Sequence, residues 1–250
     1  MTYLEEQIEK LKQEKYNGNE TPDFLNDRKR LEQGEPYEYI VGHTKFLSAT
    51  IDLSLRPMIP RYETAFWVAR TIDELKTKHG ADPIHLADTF AGAGNVGAAL
   101  LLELPNATLD ISELDPALKE QIAINMKINN IDSERVSIIS ASGLEQLTGP
   151  YDAIFAVPPY VPHEALPNLD PEMIHFEPHL AFFARENGHE FHRILINGAW
   201  KLLKDGGSLY MEADMDHEAD IREMLIGTPW SSVEFWPDPY GATPNVVLRK

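Results

Sequence analysis

Apolar residues near the start of the chain recur at helical spacing, and they alternate with charged positions. Thr2 and Glu5 have the spacing of a capping box, and three apolar residues follow on one helical face: Leu4, Ile8 and Leu11. A second helix is predicted to begin at Pro22 behind Thr21 and to end near Gly34. Two short helices are therefore expected to form a separate N-terminal segment, residues 1–35.

The next stretch is rich in residues that favour β structure. Residues 38–55 contain many β-branched and aromatic residues and are interrupted by Gly42, which predicts a hairpin within a linker at 36–60. Residues 63–76 then show helical periodicity with three residues predicted on one face, Phe66, Ala69 and Ile72. The main domain is expected at 61–250.

From Ile84 onward, short apolar runs alternate with helical stretches. Strands are predicted at 84–88, 107–113, 136–140, 152–157 and 207–213, and helices at 95–104, 116–129, 189–204 and 215–226. The tail differs, since SSVEFW and NVVLRK are two β segments joined by a loop rich in Pro, Gly and Asp. This pattern predicts an α/β fold: a seven-stranded, mostly parallel sheet with helices on both faces and an antiparallel strand near the C-terminus.

Composition narrows the classes of partner. Lys and Arg total 22 while Asp and Glu total 40, so the formal net charge is −18, which repels phosphate backbones and anionic lipid. Nucleic acid is therefore an unfavourable partner, and a protein is a better one. The chain has no cysteine, no signal-peptide pattern and no apolar run long enough for a membrane span, so we expect a cytoplasmic protein without a membrane partner.

Two neighbouring strand ends carry the first candidate site. After Asp88, small residues form a tight turn before an Ala- and Leu-rich helix, and such a turn lets backbone N–H groups approach a nucleotide-like ligand. Any strand–helix turn needs small residues, so the turn alone is a weak signal. Glu113 closes the next strand about 20 residues later, where an acidic side chain can accept both ribose hydroxyls. Asp110 and Asp115 are competing acids.

A second candidate follows the apolar strand at 152–157. Val157, Pro158, Pro159 and Tyr160 form a rigid segment, because neither proline can continue a hydrogen-bonded ladder, and the Tyr ring offers a flat face to a planar group. A rigid loop with a packed Tyr is the alternative interpretation.

Histidines supply a weaker signal. His175 and His179 are four residues apart but are separated by Pro178, and His189 lies near His192. With Glu177 they suggest a metal site, yet we expect solvated loop histidines and no metal.

Five motifs in order resemble the HemK-type release factor glutamine N5-methyltransferases, which are class I methyltransferases. They are Arg-x-x-x-Gly-Glu-Pro-x-x-Tyr-Ile at 30–40, Ile-Pro-Arg-x-Glu-Thr at 59–64, Asp-x-x-x-Gly-x-Gly at 88–94, x-Pro-Pro-Tyr at 157–160 and Phe-Glu-Pro-x-x-Ala at 176–181. The likeness extends from about residue 28 to the end, and the ordered series is specific although each motif alone is not. The N-terminal helical part, which helps to dock the release factor in that family, is shorter here.

The resemblance implies a Rossmann-like fold that binds S-adenosylmethionine and methylates a glutamine side chain of a peptide chain release factor. It assigns the cofactor to Asp88, Phe90, Ala91, Gly92, Ala93, Gly94, Glu113, Ser142, Gly143 and Val157. Within this set, Glu113 would contact the ribose and residues 142–143 would flank the adenine. Residues 157–160 would hold the substrate amide.

Three positions depart from the family pattern. The family usually has Gly at the position of Phe90, an acid at Ser142 and Asn at Val157. The last change matters most, because an Asn side-chain oxygen accepts an N–H of the substrate amide and Val157 accepts none. Losing one such polar contact typically costs on the order of 10²–10³ in rate.

Two alternatives to amide methylation follow from these departures. The first is a diverged member that has lost catalysis and acts as a binding or scaffold protein. The second is a methyltransferase whose acceptor needs no amide clamp. DNA and RNA base methyltransferases share the Asn-Pro-Pro-Tyr motif, but the missing Asn and the negative charge make them less favoured.

Overall fold

A small helical unit begins the chain. The computed structural model describes residues 2–237, 241 and 245–250. Helices α1 (Tyr3–Tyr16) and α2 (Pro22–Glu32) have the predicted N-caps, Thr2 and Thr21. With the short helix α3 (Tyr37–Val41) they enclose a small apolar cluster: Leu11, Phe24, Leu31, Tyr37 and Ile40.

The predicted hairpin exists, but it is shorter than the sequence indicated. Strands β1 (His43–Phe46) and β2 (Ala49–Asp52) pair antiparallel around a turn that includes Leu47, whose φ is +50°. The prediction was wrong for residues 38–41, which lie in α3. Pro36 precedes that helix with its fixed φ, and Gly42 ends it with a φ of +88°, so the flanking residues outweigh the β propensity between them.

The main sheet confirms the predicted fold. In chain order its strands are β3 (Ile84–Thr89), β4 (Ala107–Glu113), β5 (Val136–Ser140), β6 (Tyr151–Ala156), β9 (Leu203–Glu212), β10 (Ser232–Trp236) and β11 (Asn245–Arg249). Strands β7 (Val161–Pro162) and β8 (Phe183–Ala184) form a short separate pair between β6 and β9 in the chain. The spatial order is β10-β11-β9-β6-β3-β4-β5, and β11 is antiparallel to both neighbours. The loop predicted between the last two strands lies largely outside the described residues.

Helices flank this sheet: α4 (Tyr62–His79), α5 (Asn95–Glu103), α6 (Pro116–Ile128), α7 (Pro171–Phe176), α8 (Glu190–Leu202) and α9 (Glu218–Met224). Alternate residues of β6 join two apolar clusters, Phe155 with α4 and α5, and Ile154 with α8 and α9, so both faces are covered. No helix in the described part of the chain is long and apolar enough to cross a membrane.

The face of α4 that carries Phe66, Ala69 and Ile72 is not the face that packs on the sheet. Phe66 is 37% exposed, whereas the buried stripe runs through Trp67, Val68, Ile72 and Leu75. Ile72 alone of the three predicted residues is buried. The helix is rotated because Trp67 reaches the sheet, where its ring stacks on Phe155 at a centroid distance of 6.3 Å.

Candidate active site

A cavity opens at the carboxyl ends of the central strands β3, β4 and β6, where ligands bind in open α/β sheets. Its volume is about 1070 Å³ including its solvent-filled mouth. Ten of the residues predicted from the sequence line it: Asp88, Phe90, Ala91, Gly92, Ala93, Glu113, Ser142, Gly143, Val157 and Pro159. The structure therefore gathers both candidate segments into one site.

Three predicted residues lie beside the cavity instead of lining it. Gly94 caps α5 with a φ of +73°, and a Cβ there would come within 3.1 Å of the Ile122 side chain. Pro158 is buried next to Val157, and the hydroxyl of Tyr160 is directed towards Glu212. These residues shape the walls behind the cavity.

Asp88 anchors the turn that follows β3. Its buried carboxylate accepts a hydrogen bond from the backbone N–H of Gly97 at 2.9 Å. Burial raises the pKa of Asp88 to about 7, opposed by that hydrogen bond and assisted by the nearby charge of Glu113. The residue thus ties the start of α5 to the strand end while remaining partly protonated near neutral pH.

Glu113 is the acid that connects the turn to the next strand. It is 7% exposed and accepts hydrogen bonds from the backbone N–H groups of Gly92 at 2.8 Å and Asp115 at 2.9 Å. Burial raises its pKa. The competing acids have other partners, since Asp110 accepts the Tyr151 hydroxyl and Asp115, which also lines the cavity, caps α6.

Phe90 adopts a backbone conformation that favours glycine. Its φ is +58°, which costs a residue with a Cβ roughly 1–2 kcal/mol. The ring packs edge-on against Phe191 at a centroid distance of 5.0 Å and lies over Gly143, where an added Cβ would come 2.7 Å from Phe90 Cζ. The side chain therefore forms part of the wall beside residues 142–143, where the resemblance places the adenine.

Glu212 is a cavity residue that the sequence analysis missed. Its carboxylate is fully enclosed and accepts hydrogen bonds from the Thr64 hydroxyl at 2.6 Å, Trp67 Nε1 at 2.9 Å and the Tyr160 hydroxyl at 3.2 Å. Burial raises the pKa of Glu212, and burial together with the Glu212 charge raises that of Tyr160. Its place at the end of the predicted strand 207–213 was the available signal.

An ion pair joins two of the motifs across the chain. Glu177, which is buried, accepts hydrogen bonds from the Ile59 backbone N–H at 2.8 Å and from Arg61 Nη2 at 2.7 Å. Ile59 and Arg61 belong to the Ile-Pro-Arg motif and Glu177 to the Phe-Glu-Pro motif. Both segments line or border the cavity, so this ion pair brings two motifs that are distant in the sequence to the same site.

The histidines are distributed differently from the prediction. His175 and His179 are exposed, as expected, but His189 and His192 are 7% and 0% exposed, so describing these two as solvated was wrong. Burial lowers the pKa of His192 to about 4. Residue spacing could not reveal this burial, because it depends on His217 packing against both rings from a later part of the chain.

Comparisons with known proteins were made for sequence and for structure. No protein-family model matches the chain. The release factor glutamine methyltransferase of Moorella thermoacetica is 30% identical over 196 residues, covering 78% of this chain and 68% of the relative. That of Chlorobaculum tepidum is 29% identical over 218 residues, with 84% and 73% covered. For the Bradyrhizobium diazoefficiens relative, 29% identical over 197 residues, the chain spans 64% of its length.

Solved structures support the fold alone, because their sequence identities are low. A methyltransferase from Pyrococcus furiosus has a TM-score of 0.58 and 17% identity, with 90% of this chain and 98% of that chain covered. The hMettl16 catalytic domain in complex with the MAT2A 3′UTR hairpin 6 has a TM-score of 0.65 and 15% identity, with 90% and 80% covered. The order of the motifs, the cavity and the similarity to the Moorella relative all agree. The chain belongs to the release factor glutamine methyltransferase family.

Proposed function

We propose that this protein transfers a methyl group from S-adenosylmethionine to the side-chain amide nitrogen of a glutamine in a peptide chain release factor. This proposal rests on one observation. The turn after β3, Glu113 and the segment that begins at Val157 meet at one cavity at the strand ends. The names of the relatives supply the substrate class.

The cavity residues fit the cofactor. Gly92 has a φ of +53° and a Cβ there would meet open space, so its backbone borders the cavity without a side chain in the way. Glu113 holds this turn through the Gly92 N–H and retains oxygen lone pairs that can accept ribose hydroxyls. Residues 142–143 and the Phe90 ring provide the wall for the adenine.

The remaining residues orient the acceptor. When bound, S-adenosylmethionine would supply a methyl group on a sulfonium; the acceptor nitrogen would take that methyl and release one proton to solvent, while sulfur would keep the electron pair of the broken bond. Tyr160, held by Glu212, braces the segment that would carry the amide, and Pro159 lines the cavity beside it. Val157 occupies the position of the missing acceptor, so we propose that the amide clamp is weakened.

The partner and the domain roles follow from the same proposal. We assign residues 61–250 to catalysis, 36–60 to the connecting hairpin and 1–35 to contact with the release factor. The N-terminal segment is tied to the hairpin segment by Glu35, which pairs with Arg56 as well as with Arg30. The absence of cysteine agrees with a cytoplasmic location.

Substitution of Glu113 tests the cofactor assignment. We expect Glu113→Ala to weaken binding of S-adenosylmethionine and S-adenosylhomocysteine by roughly 1.5–3 kcal/mol, because a charged acceptor is removed. Calorimetric titration measures this. Asp110→Ala and Asp115→Ala are the controls for the two competing acids. Asp110→Ala should bind as the parent does, because Asp110 does not line the cavity, whereas Asp115→Ala measures the contribution of an acid that lines the cavity and caps α6.

Methyl transfer tests the reaction itself. The parent should transfer labelled methyl to a glutamine-containing release factor, and Glu113→Ala should lose this activity at limiting cofactor. Cofactor binding without transfer to any release factor would favour the binding or scaffold alternative, which the Val157 departure motivates. Unchanged affinity in Glu113→Ala, with a loss in one of the controls, would move the ribose contact to that other acid.

A further inference from the structure

Three buried histidines meet outside the cavity. His189 and His192 lie at the start of α8, and His217 lies in the 3₁₀ turn just before α9. Their exposures are 7%, 0% and 7%, and one ring atom from each lies within 4.8 Å of one from each of the others. The cluster therefore joins the N-terminal ends of two helices that are separate in sequence.

Hydrogen bonds fix which nitrogen is free in two of the three rings. His189 Nε2 lies 2.8 Å from a carboxylate oxygen of Asp220, and His192 Nε2 lies 2.9 Å from the carbonyl oxygen of Glu212. Both oxygens only accept, so each Nε2 carries the proton and donates it. In the neutral ring the Nδ1 atom then has a free lone pair.

The Nδ1 atoms of all three histidines are buried and have no hydrogen-bond partner among the described residues. An isolated buried polar atom of this kind is unfavourable, and three in one place call for a common partner. Metal-binding histidines typically donate their other ring N–H to a carboxylate or a backbone carbonyl, as His189 and His192 do here.

We propose that His189, His192 and His217 bind one zinc-class divalent cation through their Nδ1 atoms. Imidazole nitrogens suit Zn²⁺, which takes ligands at about 2.0–2.1 Å in a tetrahedral arrangement. Nitrogens in such a site are roughly 3.4 Å apart, so the three rings, whose ligand atoms lie within 4.8 Å of one another, would move closer together when the cation binds. Three protein ligands would leave the fourth position for a water molecule.

The site lies directly behind the acceptor segment. The Tyr160 ring lies 6.4 Å from the His192 ring and 6.3 Å from the His217 ring, and the backbone of Gly188 packs against the Tyr160 carbonyl. The cation links α8 to the turn before α9 behind Tyr160. Among the described residues, none of the three histidines lines the cavity, so the cation does not take part in methyl transfer.

Metal analysis of the full chain provides the primary test. We expect one Zn²⁺ per chain by mass spectrometry after equilibration with zinc and dialysis. Chelation with EDTA should lower the Tm, and zinc at about a hundredfold excess over its Kd should raise it again by roughly 5–10 °C. Co²⁺ in place of Zn²⁺ should give the visible absorption of a four-coordinate ion.

Two variants with matched controls make the test specific. His217→Gln should lower zinc affinity by at least about 100-fold, and Asp220→Asn, which removes the negative charge from the group that accepts the His189 hydrogen bond, should lower it by roughly 10–100-fold. His175→Gln removes an exposed histidine and Glu223→Gln an exposed acid of α9, and both should bind as the parent does. If His217→Gln does not fold, the comparison of Asp220→Asn with Glu223→Gln decides.

Two outcomes would overturn the site. One is a parent chain that retains no zinc and whose Tm does not respond to it. The other is equal zinc affinity in His217→Gln and His175→Gln, or in Asp220→Asn and Glu223→Gln. These measurements use zinc alone and need neither cofactor nor release factor, so their result is independent of the proposed methyl transfer.

Discussion

Val157 is the residue at which catalytic strength can be tested. It lines the cavity, packs partly buried against the apolar cluster under β6, and has no group that accepts a hydrogen bond. We expect Val157→Asn to raise single-turnover methylation of a release factor by on the order of 10²-fold, because the added oxygen acts on charge that develops in the transition state.

The assay for this prediction is transfer of labelled methyl at saturating cofactor. Val161→Asn is the matched control, because Val161 follows in the same segment and its backbone N–H is bonded to Phe182 O. It should leave the rate unchanged. A parent activity that falls in Val157→Asn would instead indicate a less polar acceptor at this position.

Asp88 gives the stability a defined dependence on pH. With a folded-state pKa of about 7, above its unfolded value of 3.8, the folded state binds the extra proton, so this residue lowers stability as pH rises from about 4 to 7. Asp88→Asn keeps an oxygen for the Gly97 N–H and removes the charge. We expect its stability relative to the parent to be roughly 2–3 kcal/mol greater at pH 8 than at pH 5.

Chemical denaturation of the cofactor-free proteins at the two pH values checks this expectation. The difference between Asp88→Asn and the parent is the measured quantity, since it cancels the titration of all groups that do not interact with Asp88. A difference that is the same at both pH values, or larger at pH 5, would contradict a raised pKa for Asp88.

At the scale of elements, α5 sits unusually close to the sheet because of one glycine. A Cβ on Gly97 would lie 2.8 Å from Leu109 Cδ2, 3.0 Å from Ile111 Cδ1 and 3.1 Å from Asp88 Oδ2. Gly97→Ala should therefore destabilise the fold by about 1–2 kcal/mol, since overpacking of roughly 1–3 kcal/mol outweighs a helix-propensity gain of up to about 1 kcal/mol.

Gly198 in α8 is the matched control for Gly97. A Cβ there would meet only the far end of one flexible side chain, Leu144 Cδ1, at 2.7 Å. Gly198→Ala should be neutral or stabilising by less than about 1 kcal/mol. Thermal unfolding of both variants decides, and equal effects would show that close approach to the sheet does not set the requirement at Gly97.

Elements whose signals are local were predictable from the sequence. The strands that build the parallel sheet, the capped helices and the position of Glu113 follow from periodicity and turn residues within about 20 positions. Helix α3 was not predictable in this way, because Pro36 and Gly42 at its ends outweigh the β propensity of the residues between them. The buried face of α4 was also not predicted, because Trp67 donates a hydrogen bond to Glu212, which lies 145 residues away in the sequence.

The same limit applies to the side chains around the site. Glu212 accepts hydrogen bonds from Thr64, Trp67 and Tyr160, and none of these residues is near it in the sequence. The histidine cluster depends on His217 reaching back to α8. A sequence pattern indicates which residues end a strand, but it does not show which distant side chains converge on them.

At the scale of the whole molecule, the net charge of the protein and the partner of one structural neighbour suggest different classes of partner. One structural neighbour is a methyltransferase domain in complex with an RNA hairpin, and it matches this fold with a TM-score of 0.65. This chain carries a formal charge of −18. A protein that binds nucleic acid gains affinity by neutralising phosphates with Lys and Arg, and a strongly negative field opposes that association most strongly at low salt. The shared fold alone does not imply a shared substrate.

We accordingly expect the protein to bind neither an RNA hairpin nor duplex DNA with a Kd below about 100 µM, even at 50 mM salt, where electrostatic binding to nucleic acid is strong. Fluorescence anisotropy with labelled hairpin and duplex measures this, with and without S-adenosylhomocysteine, and a labelled release factor serves as the positive partner. Adding salt distinguishes the mechanisms, because contacts to phosphates weaken steeply as salt rises. Micromolar binding of the hairpin that weakens with salt would reveal a basic surface within the acidic average, and a nucleic-acid acceptor would then replace the release factor.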